Sequence, residues 1–201
     1  MRAARDPALR ILGIIATIVV AGGCATSGVL DVGYQATTPM TFGPAPTPPP
    51  RIAIRPVVDQ RVDPTRVGLP SKKSGQNVVT RRPVVDIVHE ALVVEFRRSG
   101  YSLVSDRSDV AVAAQVEEFW LDVVNGYKRV QYVGRVAIAL TVIDGRGSGR
   151  LLVRRYVGIA RREADQDIER AGRAVLDAAL ARTIHDAATD PTVLAALAVA
   201  P

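Results

Sequence analysis

The chain has 201 residues, with 26 Lys and Arg against 20 Asp and Glu, a net charge of +6 and a single cysteine. That length carries one domain with its own core and not comfortably two, and one cysteine excludes an internal disulfide. The basic excess is modest, fitting a solvated basic surface first, then anionic head groups or a negatively charged partner.

Residues 1–10 hold Arg2, Arg5 and Arg10 against Asp6, residues 11–20 are almost wholly aliphatic, and Ala21, Gly22 and Gly23 precede Cys24. A basic start, a short apolar stretch and small residues at its end describe an export signal. The apolar run over 11–23 covers 13 residues, short of the ~20 that a membrane-crossing helix needs. With a lone cysteine directly after it, the segment resembles the lipobox of bacterial lipoproteins, in which the thiol receives diacylglycerol and the signal is cut before the cysteine. Ala21 departs from the leucine usual there, and secretion with a free thiol or a retained anchor are the competing readings. Ala25 stands where an aspartate often marks inner-membrane retention, so the sorting rule favours the outer membrane. Removing residues 1–23 lowers the net charge from +6 to +4, and an exported chain does not normally meet nucleic acid.

Residues 24–50 read as the lipidated cysteine and a tether, with prolines at 39, 44, 46 and 48–50 favouring extended polyproline II. Residues 51–201 read as a single periplasmic domain. A first strand is expected over 52–58, ended by Pro56 and the polar run Asp59, Gln60, Arg61, Asp63. Residues 65–79 are weakly patterned. A helix over 83–99 is expected from Val84, Val88, Ala91, Leu92 and Phe96, with Thr80 as a cap, Pro83 in its first turn and Gly100 as its stop.

A short strand over 101–104 comes next. Val110, Val112, Ala114 and Val116 then alternate, and Phe119, Leu121 and Val123 continue on the other parity. A bulge around Glu117 and Glu118 reconciles the two halves. Asn125-Gly126 turns the chain into a second alternating run, Val130 to Val142, and the glycines at 145, 147 and 149 return it through Leu151, Val153, Val157 and Ile159. The result is a three-stranded antiparallel meander.

Asp165 or Asp167 opens a second helix reaching about Ala187, with Ile168, Gly172, Val175, Leu176, Ala179, Leu180 and Ile184 as its buried stripe. Asp190-Pro191 has the form of an N-cap and first-turn proline for a terminal helix. The order implies an α+β fold: a mostly antiparallel sheet, the meander plus an N-terminal strand, with two main helices on one face.

The order of elements, Asp59-Gln60-Arg61 with Asp63 after the first strand, Gly100-Tyr101 closing the first helix, the long hairpin, the Tyr156 strand and the tail after Asp190 resemble the YajG-type bacterial lipoproteins. The resemblance covers the signal and essentially the whole mature domain. It implies an outer-membrane lipoprotein with no established activity and supplies no catalytic residues.

Asp59, Gln60, Arg61 and Asp63 form the densest polar cluster, readable as a partner-binding corner or as a strand end that caps its own amides. Trp120 and Tyr132 are the aromatic interaction candidates, with core packing as the alternative. Glu117 and Glu118 point to opposite faces of a strand unless the bulge reorients them. No His, Asp or Glu spacing resembles a metal site, no cofactor is implied, and no nucleophile–base set supports an enzyme. The expectation is a non-enzymatic, lipid-anchored envelope protein that binds or supports an envelope partner. The alternative is an accessory lipoprotein of a transporter or outer-membrane assembly system that recognises lipid or lipopolysaccharide.

Overall fold

The computed structural model describes residues 28–36, 50–69, 75, 77–126, 129–146, 149–165 and 167–198. The signal, Cys24 and residues 37–49 of the proline-rich stretch lie outside the described residues.

Strands β6 (Val110–Asn125), β7 (Val130–Asp144) and β8 (Arg150–Ala164) form the expected antiparallel meander. The register slips between Val116 and Glu118, where the parity change calls for a bulge. Upstream of it Val110, Val112, Ala114 and Val116 point into the core, and downstream Phe119 and Leu121 do so. The other strands are short and parallel to their neighbours. β2 (Arg51–Ile54) lies between β5 (Ser102–Leu103) and β6, and β3 (Val58–Asp59) pairs farther along β6. The main sheet therefore runs β5-β2-β6-β7-β8, with β3 also on β6. Pro56 divides the expected single strand into β2 and β3, as a residue without an amide donor should. Arg51 clips β2 to the start of β6, its amide and guanidinium both donating to the Asp109 carboxylate.

Helix α1 (Val84–Arg98) buries all five residues of its expected stripe, and Ile87 and Glu95 with them. Gly100, at φ +83°, ends it in the left-handed region. Thr80 is not its cap: the Thr80 hydroxyl donates to the Arg82 carbonyl instead. The second helical element opens at Asp167, whose carboxylate accepts from the Arg170 amide at 3.0 Å. One π turn (Ile168–Gly172) leads into α2 (Arg173–Thr189), and α3 (Pro191–Ala198) follows. The Asp190 carboxylate caps α3 through the Thr192 amide at 2.7 Å and also accepts from the Tyr156 hydroxyl at 2.7 Å. Among the described residues no helix is long and apolar enough to cross a membrane.

The sheet meets α2 at two glycines. A Cβ at Gly134 would lie 2.6 Å from the Val175 carbonyl oxygen, and one at Gly158 would lie 2.1 Å from that of Ala179. The helix backbone thus rests directly on β7 and β8, a use of strand glycine that permits close approach. Thr183 adds a polar tie, its hydroxyl within 3.1 Å of the Val136 carbonyl and 2.9 Å of the Ala179 carbonyl. With α1 packed on α2, one continuous apolar core fills the space on this side of the sheet.

The stretch expected to be a tether is in part inside the domain. β1 (Val29–Leu30) pairs in parallel with β4 (Val79–Thr80). Leu30 and Val32 are buried in the core, because this edge of the helical layer lacks apolar cover of its own. Two hydrogen bonds hold the segment further: the Tyr34 hydroxyl donates to Glu95, and the Gly33 amide donates to Asp177 at 3.0 Å.

Gly158→Val should destabilise the fold by about 3 kcal/mol, since the new side chain meets backbone rather than a movable side chain. Gly149→Ala, with nothing within 4 Å of its Cβ position, should change stability by less than about 0.5 kcal/mol. Urea unfolding of both variants beside the parent checks this.

Candidate functional site

The polar run after β3 is a self-contained loop. Arg61 donates to Asp59 from Nε at 2.9 Å and from Nη2 at 2.7 Å. Its remaining donors reach the carbonyls of Arg66 at 3.0 Å and Pro64 at 2.9 Å. With 6 % of its side chain exposed, Arg61 is spent on holding the loop. Asp59 is kept below the usual carboxylate range first by the Arg61 hydrogen bond. Asp63 accepts from the Thr65 amide at 3.0 Å and pairs with Arg66 at 2.7 Å. Only Gln60 presents an exposed side chain, while its amide donates to the Val116 carbonyl. Of the four polar residues, three therefore build the corner rather than await a partner.

Beside this loop lies a groove of about 290 Å³ whose lining includes Arg61, Arg66, Arg81, Arg82 and Pro83. Three of its arginines already face carboxylates, Arg82 on Glu90 at 2.6 Å being the third.

Trp120 and Tyr132 part company. Tyr132 faces the helices, is 2 % exposed, and its hydroxyl donates to the Asp165 carbonyl at 3.3 Å. Even positions of β7 from Val130 to Val142 point into the core, so Tyr132 is a packing residue and not a surface anchor. Trp120 lies on the opposite, helix-free face of the sheet, half-buried, with Nε1 donating to Asp122 at 2.9 Å and the Arg66 guanidinium 5.8 Å above its ring.

That open face carries Glu117, Glu118, Asp122, Arg135 and Arg155. The bulge turns Glu117 and Glu118 both onto it, where a regular strand would have split them between faces. Glu117 accepts from Arg155 at 2.6 Å, and Arg135 bridges Glu118 at 2.7 Å and Asp122 at 2.8 Å. Each acid is thus committed to an arginine across the sheet. Toward the β8 side the face becomes apolar: Val153, Val157 and Ile159 are 54 %, 38 % and 39 % exposed. Among the described residues β8 is also an outer strand of the sheet, with no strand on its far edge.

Sequence reasoning missed Glu95. It is 1 % exposed, on α1, and receives the Tyr34 hydroxyl and the Arg98 guanidinium at 3.1 Å, with His185 Nδ1 at 4.0 Å. Burial, and then the hydrogen bond to Glu95, push the Tyr34 hydroxyl well above the ordinary tyrosine range. A charge inside the apolar stripe of α1 was the available signal. His89 lies elsewhere on α1, partly exposed, and forms no group with His185.

Residues 54–198 match the profile of a family described as uncharacterised lipoprotein. No curated relative matches the chain. Among solved structures, a protein from Xanthomonas campestris superposes with a TM-score of 0.54 at 16 % identity, covering 85 % of this chain and 95 % of that one. This likeness is one of fold. A candidate lipoprotein from Caulobacter crescentus gives 0.42 at 14 %, over 57 % and 83 % of the two chains. A minor lipoprotein from Acinetobacter baumannii gives 0.39 at 14 %, over 70 % and 93 %.

Arg61→Ala should cost about 2 kcal/mol at neutral pH, as hydrogen bonds from a charged donor are lost. It should also flatten the acid limb of stability. A carboxylate depressed in the folded state contributes stability above its unfolded pKa of about 3.9 and loses it as pH falls through the folded value. Urea midpoints measured between pH 7 and pH 2 should therefore fall less steeply below pH 4 in the variant than in the parent.

Proposed function

The chain belongs to this family of uncharacterised lipoproteins, and we propose on that premise that it is a non-enzymatic, YajG-type protein, held at the outer membrane by lipid on Cys24 and engaging an envelope partner through its open sheet face. The observation that carries the partner reading is the β8 side of the meander. There Val153, Val157 and Ile159 stand exposed on a 15-residue strand whose outer edge has no strand partner among the described residues. An extended segment can add to such an edge through main-chain hydrogen bonds, with alternate side chains giving selectivity.

The charged groups support a scaffold rather than a reaction centre. Arg61, Arg66, Arg82, Arg135 and Arg155 are each paired with a carboxylate. A lipid-handling reading needs apolar space between helix and sheet, and α2 closes that space by backbone contact at Gly134 and Gly158.

Two measurements test the proposal. Intact mass of the membrane-extracted protein should show residues 24–201 carrying acyl mass, and Cys24→Ser should abolish that mass and leave the membrane fraction. An uncleaved Met1 or an unacylated mature chain would sink the lipoprotein reading. For the partner, a photo-crosslinker at Val157 or Ile159 should give a discrete adduct in cells that one at the exposed Arg182 on α2 does not. Val157→Asp should remove the adduct formed from position 159. Equal adducts at 157 and 182, or none at 157 and 159, would overturn the partner surface.

A further inference from the structure

Where the domain holds the chain, relative to Cys24, decides how far it can stand from its anchor, and Gly28 is held. Its carbonyl accepts the Val79 amide at 2.8 Å, and a Cβ on it would lie 3.0 Å from the Asn77 carbonyl oxygen. β1 follows at once, and Leu30 and Val32 are buried. Four residues separate Cys24 from Gly28, a reach of about 14 Å at full extension. The proline-rich residues 37–49 contribute nothing to that reach, because both flanks of the stretch, Leu30 to Tyr34 before it and β2 after it, are held by the domain.

The strand register says which end of the molecule Gly28 occupies. Gly68 is bridged in parallel to Leu121 of β6 and in antiparallel to Val78. β1 runs parallel to β4, with Val29 opposite Val79. Gly28 therefore sits level with Leu121, and β1, running antiparallel to β6, begins on the side of the end where β6 turns into β7. From Leu121 to the turn at Asn125 is four residues, about 13 Å of strand. The reach of the anchor and the height of the hairpin are nearly equal. A lipid on Cys24 therefore brings Gly28 within about 14 Å of the bilayer, and the hairpin end is the end of the sheet on that side.

The surface at that end suits an interface. Leu69 is 63 % exposed, Val124 52 % and Val123 39 %. Arg129, Arg161 and Arg162 are exposed around them, and Val123, Tyr132 and Arg162 form one row across the sheet. Arginine stems can lie along apolar surface with the guanidinium at head-group level. Glu163, in register with Gln131 and Val124, offsets part of this charge. The contact is accordingly more apolar than electrostatic.

We propose that the mature protein sits directly on the bilayer, its β6–β7 hairpin end seated in the head-group region through Leu69, Val123 and Val124. This rests on lipidation of Cys24. Because acylation consumes the only cysteine, a second cysteine can be labelled alone. Val124→Cys and Gly149→Cys, the latter at the opposite end of β7 and β8, are labelled with an environment-sensitive fluorophore in the acylated protein. Both are reconstituted into vesicles of phosphatidylethanolamine and phosphatidylglycerol containing spin-labelled lipid. The expected result is a blue-shifted label at position 124, quenched several-fold more strongly than the label at 149, with little change on raising salt. Equal quenching at the two positions in protein that carries acyl mass and floats with the vesicles overturns the seating while leaving lipidation intact. Absence of acyl mass on the same preparation overturns lipidation, and the seating with it.

Discussion

At Gly134 and Gly158 the sheet offers no side chain, and α2 fills the space with its own backbone. Neighbouring helix and sheet layers are normally separated by interdigitated side chains, so contact this close fixes the position of α2 along β7 and β8 with little slack. Thr183 fits the arrangement only because Val136 is brought within hydrogen-bonding distance. Alanines at 179, 187 and 188, all buried, keep the rest of α2 narrow enough to lie flat. α1 then packs against α2, and Phe96 completes the core with Tyr101, their rings 5.9 Å apart. The buried core gathers on one side, and the other side of the meander is left as a surface.

That surface is arranged to stay dissolved. Exposed ion pairs such as Arg155 with Glu117 contribute about 0–1 kcal/mol each to stability, so their value lies elsewhere. Paired across strands, they cover the broad face of three long strands with groups that need no partner. Arg150, Arg154, Arg155, Arg161 and Arg162 punctuate β8 itself, against Glu163 as its one acid. Like charges repeated along an unpaired strand oppose its pairing with a second copy. The apolar residues between them remain accessible to a segment that does not carry the same charge.

The alternating runs of β6, β7 and β8, the slip at Glu117 and Glu118 and the left-handed Gly100 could be read from the sequence because each is a local signal. The stripes of both long helices were legible for the same reason. What escaped were relations between distant residues. Parallel pairing of β2 and β5 depends on what lies beside them, which four- and two-residue segments do not encode. Tyr132 and Trp120 looked alike as aromatics near a turn, yet parity assigns them to opposite faces. The polar run around Arg61 could be read as a partner-binding corner or as a strand end holding itself, and only the structure shows the guanidinium bonded to Asp59 and to the Arg66 and Pro64 carbonyls. Gly134 and Gly158 carry no local signal of their purpose, which is visible only once α2 lies on them.

Residues 28–36 were misread for a related reason. A two-residue strand among prolines, glycines and threonines has no periodicity to detect, and its stability comes wholly from where it lands. Leu30 and Val32 add apolar area to the common core, while Glu95 and Asp177 on the two long helices receive the Tyr34 hydroxyl and the Gly33 amide. Glu95 is the more telling of the two. A carboxylate at 1 % exposure would be costly if left alone, and Arg98 and Tyr34 together supply its hydrogen bonds. The buried charge of α1 and the leading segment of the chain therefore depend on each other: detaching the segment uncovers apolar surface and strips a partner from a buried acid. A segment held this way can bear an anchor close to its start. On the seating proposed above, the long strands would stand away from the bilayer and the outer edge of β8 would face along it.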